Sequence, residues 1–316
     1  MNTVISKSGM GIAHSKLILV GEHAVVYGKP AIAIPFPLKV EAIVQQYNGS
    51  IIFESQLYTG PIEKMPDNME GLFQCIKATL SYLNKPQKYL YIKIKSQIPL
   101  GRGLGSSAAV AVAIVRALFS FFGKNPSQEE LFSLVQIAES CTHGNPSGID
   151  MAIVASENPI WFLRDKEIVH IKTTKPLYLV VGDTGRIGDT RTAVEKVRQQ
   201  YLRDNARVNK SLDRMESIAY QARDAILEGN ISLLGKLLDA NQEELESLGV
   251  SDNDLDSLID KARDLGALGA KLTGGGLGGC MIALADSFEK AKVIAEDLKN
   301  YGAANSWYFS TEEERQ

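Results

Sequence analysis

An α+β fold in two domains is predicted for this 316-residue chain. Strand signals crowd the first third, and helix-compatible sequence fills most of the stretch beyond residue 190. A succession of strand, glycine loop, strand, helix and strand then closes the chain. With 45% hydrophobic and 22% charged residues, the composition is that of a globular protein with ample material for a core. Domains of about 100–200 residues make two medium ones a natural division. The boundary is expected at 183/184, giving parts 1–183 and 184–316.

The elements follow in order. Lys16–Val20, Ala31–Val44, Ile51–Glu54 and Tyr89–Ile98 read as strands, rich in β-branched and aromatic residues. Leu72, Phe73, Ile76, Leu80 and Leu83 recur at helical spacing. A long apolar helix is expected after Gly105, ending near Phe122 where Gly123 stops it. The next starts at Ser127, whose pairing with Glu130 is a capping box, and runs to about Cys141. A strand over Leu177–Val181 gives way to a turn rich in Gly, Asp and Thr. Thr192–Leu248 reads as almost continuous helix, and Ser251–Leu265 as another, closed by Gly266. Strands at Ala270–Thr273, Cys280–Ala285 and Trp307–Ser310 bracket a helix over Phe288–Tyr301.

Composition also excludes functions. With 34 Lys+Arg against 37 Asp+Glu the net charge is −3, so no basic field is available to hold nucleic acid. The longest apolar run, Ala108–Val115, is far short of the roughly 20 residues that span a bilayer. Cys75, Cys141 and Cys280 are widely spaced, which argues against a disulfide framework or a thiolate zinc site. His14, His143 and His170 lack metal-ligand spacing, and His14 and His170 read as structural. A cytoplasmic protein acting on small molecules is expected.

Four segments carry chemistry. Pro99-Leu-Gly-Arg-Gly-Leu-Gly-Ser-Ser-Ala-Ala109 leads from a strand into a helix, with glycines alternating at 101, 103 and 105. Glycines permit close backbone approach, and the free N–H groups at a helix start form an anion cradle suited to phosphates. A plain connection with a serine cap would need fewer residues. No Walker A ending follows. Lys271-Leu-Thr-Gly-Gly-Gly-Leu-Gly-Gly-Cys280 matches G-x-G-x-x-G only by accident, because a strand rather than a helix comes after it. Its five glycines imply close approach to a ligand or to a loop of the other domain, in preference to a simple hairpin.

In Glu139-Ser-Cys-Thr-His-Gly-Asn-Pro-Ser-Gly-Ile-Asp150, Glu139 should lie in the last turn of its helix. A carboxylate is unfavourable at that end and suggests a cation such as a metal, with the following turn bringing Asp150 back near it. A surface cap with an Asx turn is an equal alternative for this segment alone. Finally, Lys16 lies in an apolar strand that ends in Gly21-Glu-His23. A lysine there needs a carboxylate or a ligand, although a snorkelling edge residue is the commoner case.

Taken together, these segments resemble the GHMP small-molecule kinases, whose three motifs correspond to Lys16–Gly28, Pro99–Ala109 and Lys271–Cys280. Gly21-Glu-His-Ala-Val-Val-Tyr-Gly28 and His143-Gly-Asn-Pro-Ser-Gly-Ile-Asp150 are similar to the wording of the mevalonate kinase branch. The resemblance implies a ribosomal-protein-S5-domain-2-like N-terminal domain, a ferredoxin-like C-terminal domain and an active site in the cleft. It implies ATP as co-substrate, bound by Pro99, Leu100, Gly101, Arg102, Gly103, Leu104, Gly105, Ser106 and Ser107. Ser107 and Glu139 match the Mg²⁺ ligands, and Asp150 matches the catalytic aspartate, with Lys16 beside it. Lys16, Glu22, His23, Asp150 and Thr184 match positions at the substrate, mevalonate. A homodimer is one candidate assembly.

Three departures stand out. His14-Ser15 replaces the frequent Pro-Gly before the lysine, Leu277 interrupts the glycine run, and Arg102 stands where small residues are common. Arg102 is open to two readings, a phosphate contact or a solvent-facing side chain. Phosphomevalonate kinase and a catalytically dead ligand-sensing relative are the competing functions. The first would need added cations, and the second would have lost one of Asp150, Glu139, Ser107 or Lys16.

Overall fold

The computed structural model describes residues 7–143, 148–156 and 158–312. They form two compact units that interleave along the chain. One comprises Met1–Ser15, Leu38–Pro99 and Gly105–Glu157, the other Lys16–Pro37, Leu100–Leu104 and Asn158–Gln316.

The first unit is a sheet with a helical layer. Two long strands, β1 (Ser8–Val20) and β2 (Ala31–Gln46), pair with each other and give their outer halves to this unit. Beside β2 lies β5 (Leu90–Ser96), antiparallel with Val40 opposite Ser96, and then β3 (Ile52–Glu54) and β4 (Thr59–Pro61). Helices α1 (Glu70–Tyr82), α2 (Ser106–Phe121), α3 (Gln128–His143) and the short α4 (Ile149–Ala155) pack on one another. Helix α2 is apolar nearly all round and almost wholly buried, as a central helix must be. The capping box opens α3 as expected: Ser127 N donates to the Glu130 carboxylate at 2.6 Å, and Glu130 N donates to Ser127 Oγ at 3.2 Å.

In the second unit Ala31–Ala33 of β2 pair with β6 (Ile160–Phe162), which in turn pairs with β7 (Val169–His170). A separate antiparallel sheet contains β8 (Tyr178–Asp183), β9 (Gly269–Thr273), β10 (Cys280–Ala285) and β11 (Asn305–Ser310) in the order β11-β8-β10-β9. Numbered within this sheet the order is 4-1-3-2, and with helices after its first and third strands it is the ferredoxin-like arrangement. Strand β8 precedes residue 184 in sequence yet is central to this sheet. The first crossover holds four helices, α5 (Thr190–Arg203), α6 (Asn205–Glu228), α7 (Ile231–Ser247) and α8 (Asn253–Asp264). The second holds α9 (Phe288–Tyr301).

The expected near-continuous helix over Thr192–Leu248 is three helices. Asp204 and Asn230 interrupt it because their side chains accept from Arg207 N and Leu233 N and so cap new starts. Four short elements, β4, α4, β6 and β7, carry too few residues for a readable period and escaped the sequence pattern. Among the described residues no helix is long and apolar enough to cross a membrane.

Candidate active site

In the second unit, all three glycine-bearing segments meet. Lys16 is buried in β1, and its backbone N donates to Leu104 O at 3.3 Å. Two residues further on, Ile18 exchanges two 3.0 Å bonds with Thr273 Oγ1 at the end of β9. The strand ends in a turn in which His23 holds a φ of 60°, a conformation rare outside glycine. Glu22 and His23 do not face solvent. The Glu22 side chain is 0% exposed and pairs with Lys271, itself 0% exposed, and Asn241 Nδ2 donates to its second oxygen at 3.2 Å. Burial raises the Glu22 pKa and lowers that of Lys271, while each charge opposes the shift of the other.

His23 Nε2 lies 2.9 Å from Gly275 O, and because a carbonyl only accepts, the proton is on Nε2. Burial, aided by the Lys271 charge and opposed by the Gly275 bond, lowers the His23 pKa to about 4. The unfolded chain therefore binds a proton here between about pH 6.5 and 4 that the folded chain refuses. This contribution to stability is complete above pH 6.5 and is lost as pH falls through that window. Urea unfolding across the range should show falling stability, with a flatter profile in His23→Gln, which keeps a donor for Gly275 but does not titrate. Equal slopes would show that His23 is not the group responsible.

The 100–104 half of the first glycine loop rests on the Asp183–Gly188 turn. Gly188 N donates to Gly101 O at 2.8 Å. Of the two readings of Arg102, the solvent-facing side chain is not what the structure has. Its Nε lies 3.0 Å from the buried Asp183 carboxylate, and its Nη2 donates to Gly185 O at 2.7 Å. Asp183 also accepts from Gly185 N and Asn305 Nδ2, so the guanidinium closes a nearly complete shell around a carboxylate. The Thr184 hydroxyl donates to Gly279 O at 2.8 Å.

The glycine loop after β9 explains its own composition. A Cβ on Gly274 would stand 2.9 Å from Gly103 O, and one on Gly276 only 2.0 Å from Val250 O. Close approach to other backbone segments, the 100–104 loop among them, excludes side chains at these positions. Leu277 breaks the run at a φ of 52°. Its N–H donates to Val250 O at 2.9 Å, and its side chain packs on the core of the unit.

The remaining candidates belong to the first unit. Pro99 precedes the loop, and Gly105, at a φ of 72°, is the N-cap residue of α2. Ser106 and Ser107 open that helix, and the buried Ser106 Oγ has no hydrogen-bond partner among the described residues. Such an oxygen beside free helix N–H groups suits an anionic ligand. Glu139 is buried on α3, where its charge adds to the burial that pushes the Cys75 thiol up to about 12. Asp150 is half-buried in the first turn of α4, after Gly148 in the left-handed region. Helices α2, α3 and α4 pack on one another, so each supplies one of Ser107, Glu139 and Asp150. The intervening residues 144–147, where the sequence predicts a turn, lie outside the described residues.

Sequence reasoning missed Lys271, Asn241 and Asp183 as partners. For Lys271 a signal existed: like Lys16, it is a lysine inside an apolar strand.

Comparisons with known proteins give the family. Residues 71–158 match the GHMP kinases N terminal domain, and residues 222–304 match the GHMP kinases C terminal family. The chain is 36% identical to the mevalonate kinase of Thermococcus sibiricus, covering 92% of both chains. It is 35% identical to that of Pyrococcus furiosus over 90% of this chain and 91% of the relative. The crystal structure of L. major mevalonate kinase in complex with R-mevalonate superposes with a TM-score of 0.85 at 28% identity, covering 98% of each chain. With both family domains present and near full-length identity above 30% to its relatives, this chain belongs to the mevalonate kinase family of GHMP kinases.

Proposed function

We propose that the protein transfers the γ-phosphoryl group of ATP to the C5 hydroxyl of mevalonate, yielding 5-phosphomevalonate. The observation that carries this reading is the likeness of the whole chain to mevalonate kinases, one of them solved with R-mevalonate. Phosphoryl transfer depends on charge neutralisation and alignment more than on covalent chemistry. Backbone N–H groups of the 99–107 loop and the α2 N-terminus hold the ATP phosphates. Asp150 takes the proton of the attacking hydroxyl. An alcohol is a far weaker acid than a carboxylic acid, so that proton moves late, as the O–P bond forms. Lys16 offsets the negative charge that develops on the transferred group, and Thr184 orients the substrate.

The residues present also fit Mg²⁺. Among the described residues no group of three or more His, Cys, Asp or Glu forms a metal cage. Magnesium is usually held by one or two carboxylates together with substrate phosphates, so Glu139 with Ser107 is a sufficient protein share. When held by Glu139 and Ser107, the ion would supply neutralisation of the charge on the ATP phosphates. Glu139→Gln should therefore raise the apparent Mg²⁺ requirement, with activity partly restored at high Mg²⁺. Wild-type Mg²⁺ dependence in this variant would remove Glu139 from the metal site. A cytoplasmic location fits the same reading.

The test of function is a coupled ADP-release assay on mevalonate, phosphomevalonate, homoserine and galactose. Mevalonate should be the preferred acceptor by a wide margin. Turnover of phosphomevalonate or a sugar at an equal or higher rate would overturn the assignment, and no turnover of any acceptor would favour a dead relative.

A further inference from the structure

We propose that Lys271 is a positioning residue. Its pair with Glu22 locks the turn after β1 to the glycine loop after β9, and Glu22 serves the reaction through this lock instead of touching substrate. The inference rests on the kinase reading above and gives Glu22 a different role from the one the family wording implies.

Three observations carry it. First, the Glu22 side chain is 0% exposed, and its two oxygens are engaged by Lys271 and Asn241, leaving no surface for a ligand. Lys271 is equally enclosed and also donates to Leu272 O. Second, the adjacent residue makes a parallel attachment: His23, in its strained positive-φ backbone, donates from Nε2 to Gly275 O. A residue is held in such a conformation only when its surroundings over-determine it. Here the attachments are to Lys271 and Gly275, both in the third motif. Third, the loop so fixed supports the phosphate loop. Gly274 lies against Gly103, and Gly279 against Arg102 O, too closely to admit a Cβ.

Buried ion pairs add little net stability compared with apolar replacements, but they impose a geometry. That geometry sets where the glycine loop stands, and with it residues 100–104. Lys16, whose charge acts on both Glu22 and Lys271, shares the same surroundings. Removing one member of the pair therefore disturbs both the loop and the field at Lys16, whereas removing both restores neutrality.

A double-mutant cycle tests this, using Glu22→Gln, Lys271→Gln and the double variant. Each is measured for kcat and for KM of both substrates at a temperature well below its melt, and for the melting shift caused by ATP. Each single variant should lose about tenfold or more in kcat with a reduced ATP shift, and the double variant should lose no more than the milder single. Losses that multiply in the double variant would overturn the lock. So would a raised mevalonate KM in Glu22→Gln with Lys271→Gln at wild-type values, since Glu22 would then be a substrate contact. Lys271→Arg guards against misfolding, because it keeps the cation and should retain activity where Lys271→Gln loses it. Arginine failing as badly as glutamine, with a cooperative melt, counts against the proposal. If the wild-type enzyme prefers another acceptor, the functional reading fails by itself, and the ATP-induced melting shift still decides the lock.

Discussion

Asp150→Asn is expected to lower kcat by roughly two to four orders of magnitude, the usual worth of a general base. Asparagine is nearly isosteric and can still serve in the first turn of α4, where Asp150 is half-buried. A helix-end role would therefore survive the change almost intact. What asparagine cannot do is accept a proton at neutral pH. Melting temperature and ATP affinity should stay close to wild type, while the mevalonate KM moves either way with the lost ground-state hydrogen bond. Steady-state kinetics beside a thermal melt provide the check. Retention of more than a tenth of wild-type kcat would take Asp150 out of the chemistry.

The second large effect concerns the fold. Gly269→Ala in β9 should destabilise the protein by about 3 kcal/mol or more, at the upper end of what overpacking costs. The new Cβ would stand 1.9 Å from Gly235 O and 2.9 Å from Gly235 Cα on α7, all backbone that no rotamer change can move aside. The contact is reciprocal, since a Cβ on Gly235 would meet Leu268 O at 2.3 Å. Gly123→Ala is the control: its φ is +72°, but nothing lies within 4 Å, so it should cost only about 1–2 kcal/mol of backbone strain. Urea unfolding of the two variants separates the causes. A Gly269→Ala protein as stable as the control would mean that α7 and β9 do not approach so closely.

Much of the fold could be read from local pattern. The span of α9 and the β10 strand were legible to the residue, because caps and turn residues bound them: Ser287 caps α9, and the glycine loop precedes Cys280. The Ser127–Glu130 box marked the start of α3 for the same reason. Elements of two or three residues, such as β6 and β7, have no period to read and exist because a neighbouring strand edge pairs with them. Lys16 and Glu139 stood out in the sequence because each is a charged residue in a setting that disfavours it without a partner or ligand, a lysine in an apolar strand and a carboxylate towards the end of a helix.

The sequence by itself determined the α+β class and the family, since both rest on contacts and spacings a few residues long. Tertiary structure alone decided the partners. Lys271 and Glu22 are 249 positions apart, and Arg102 and Asp183 are 81 apart. Nothing in either residue's surroundings specifies the other. A buried charge announces in the sequence that it requires a counter-charge, but which one it meets depends on strand order and register. In this chain the β11-β8-β10-β9 order sets Asp183 and Lys271 on the two strands flanking β10, and the turn after β1 and the 100–104 loop bring Glu22 and Arg102 to them.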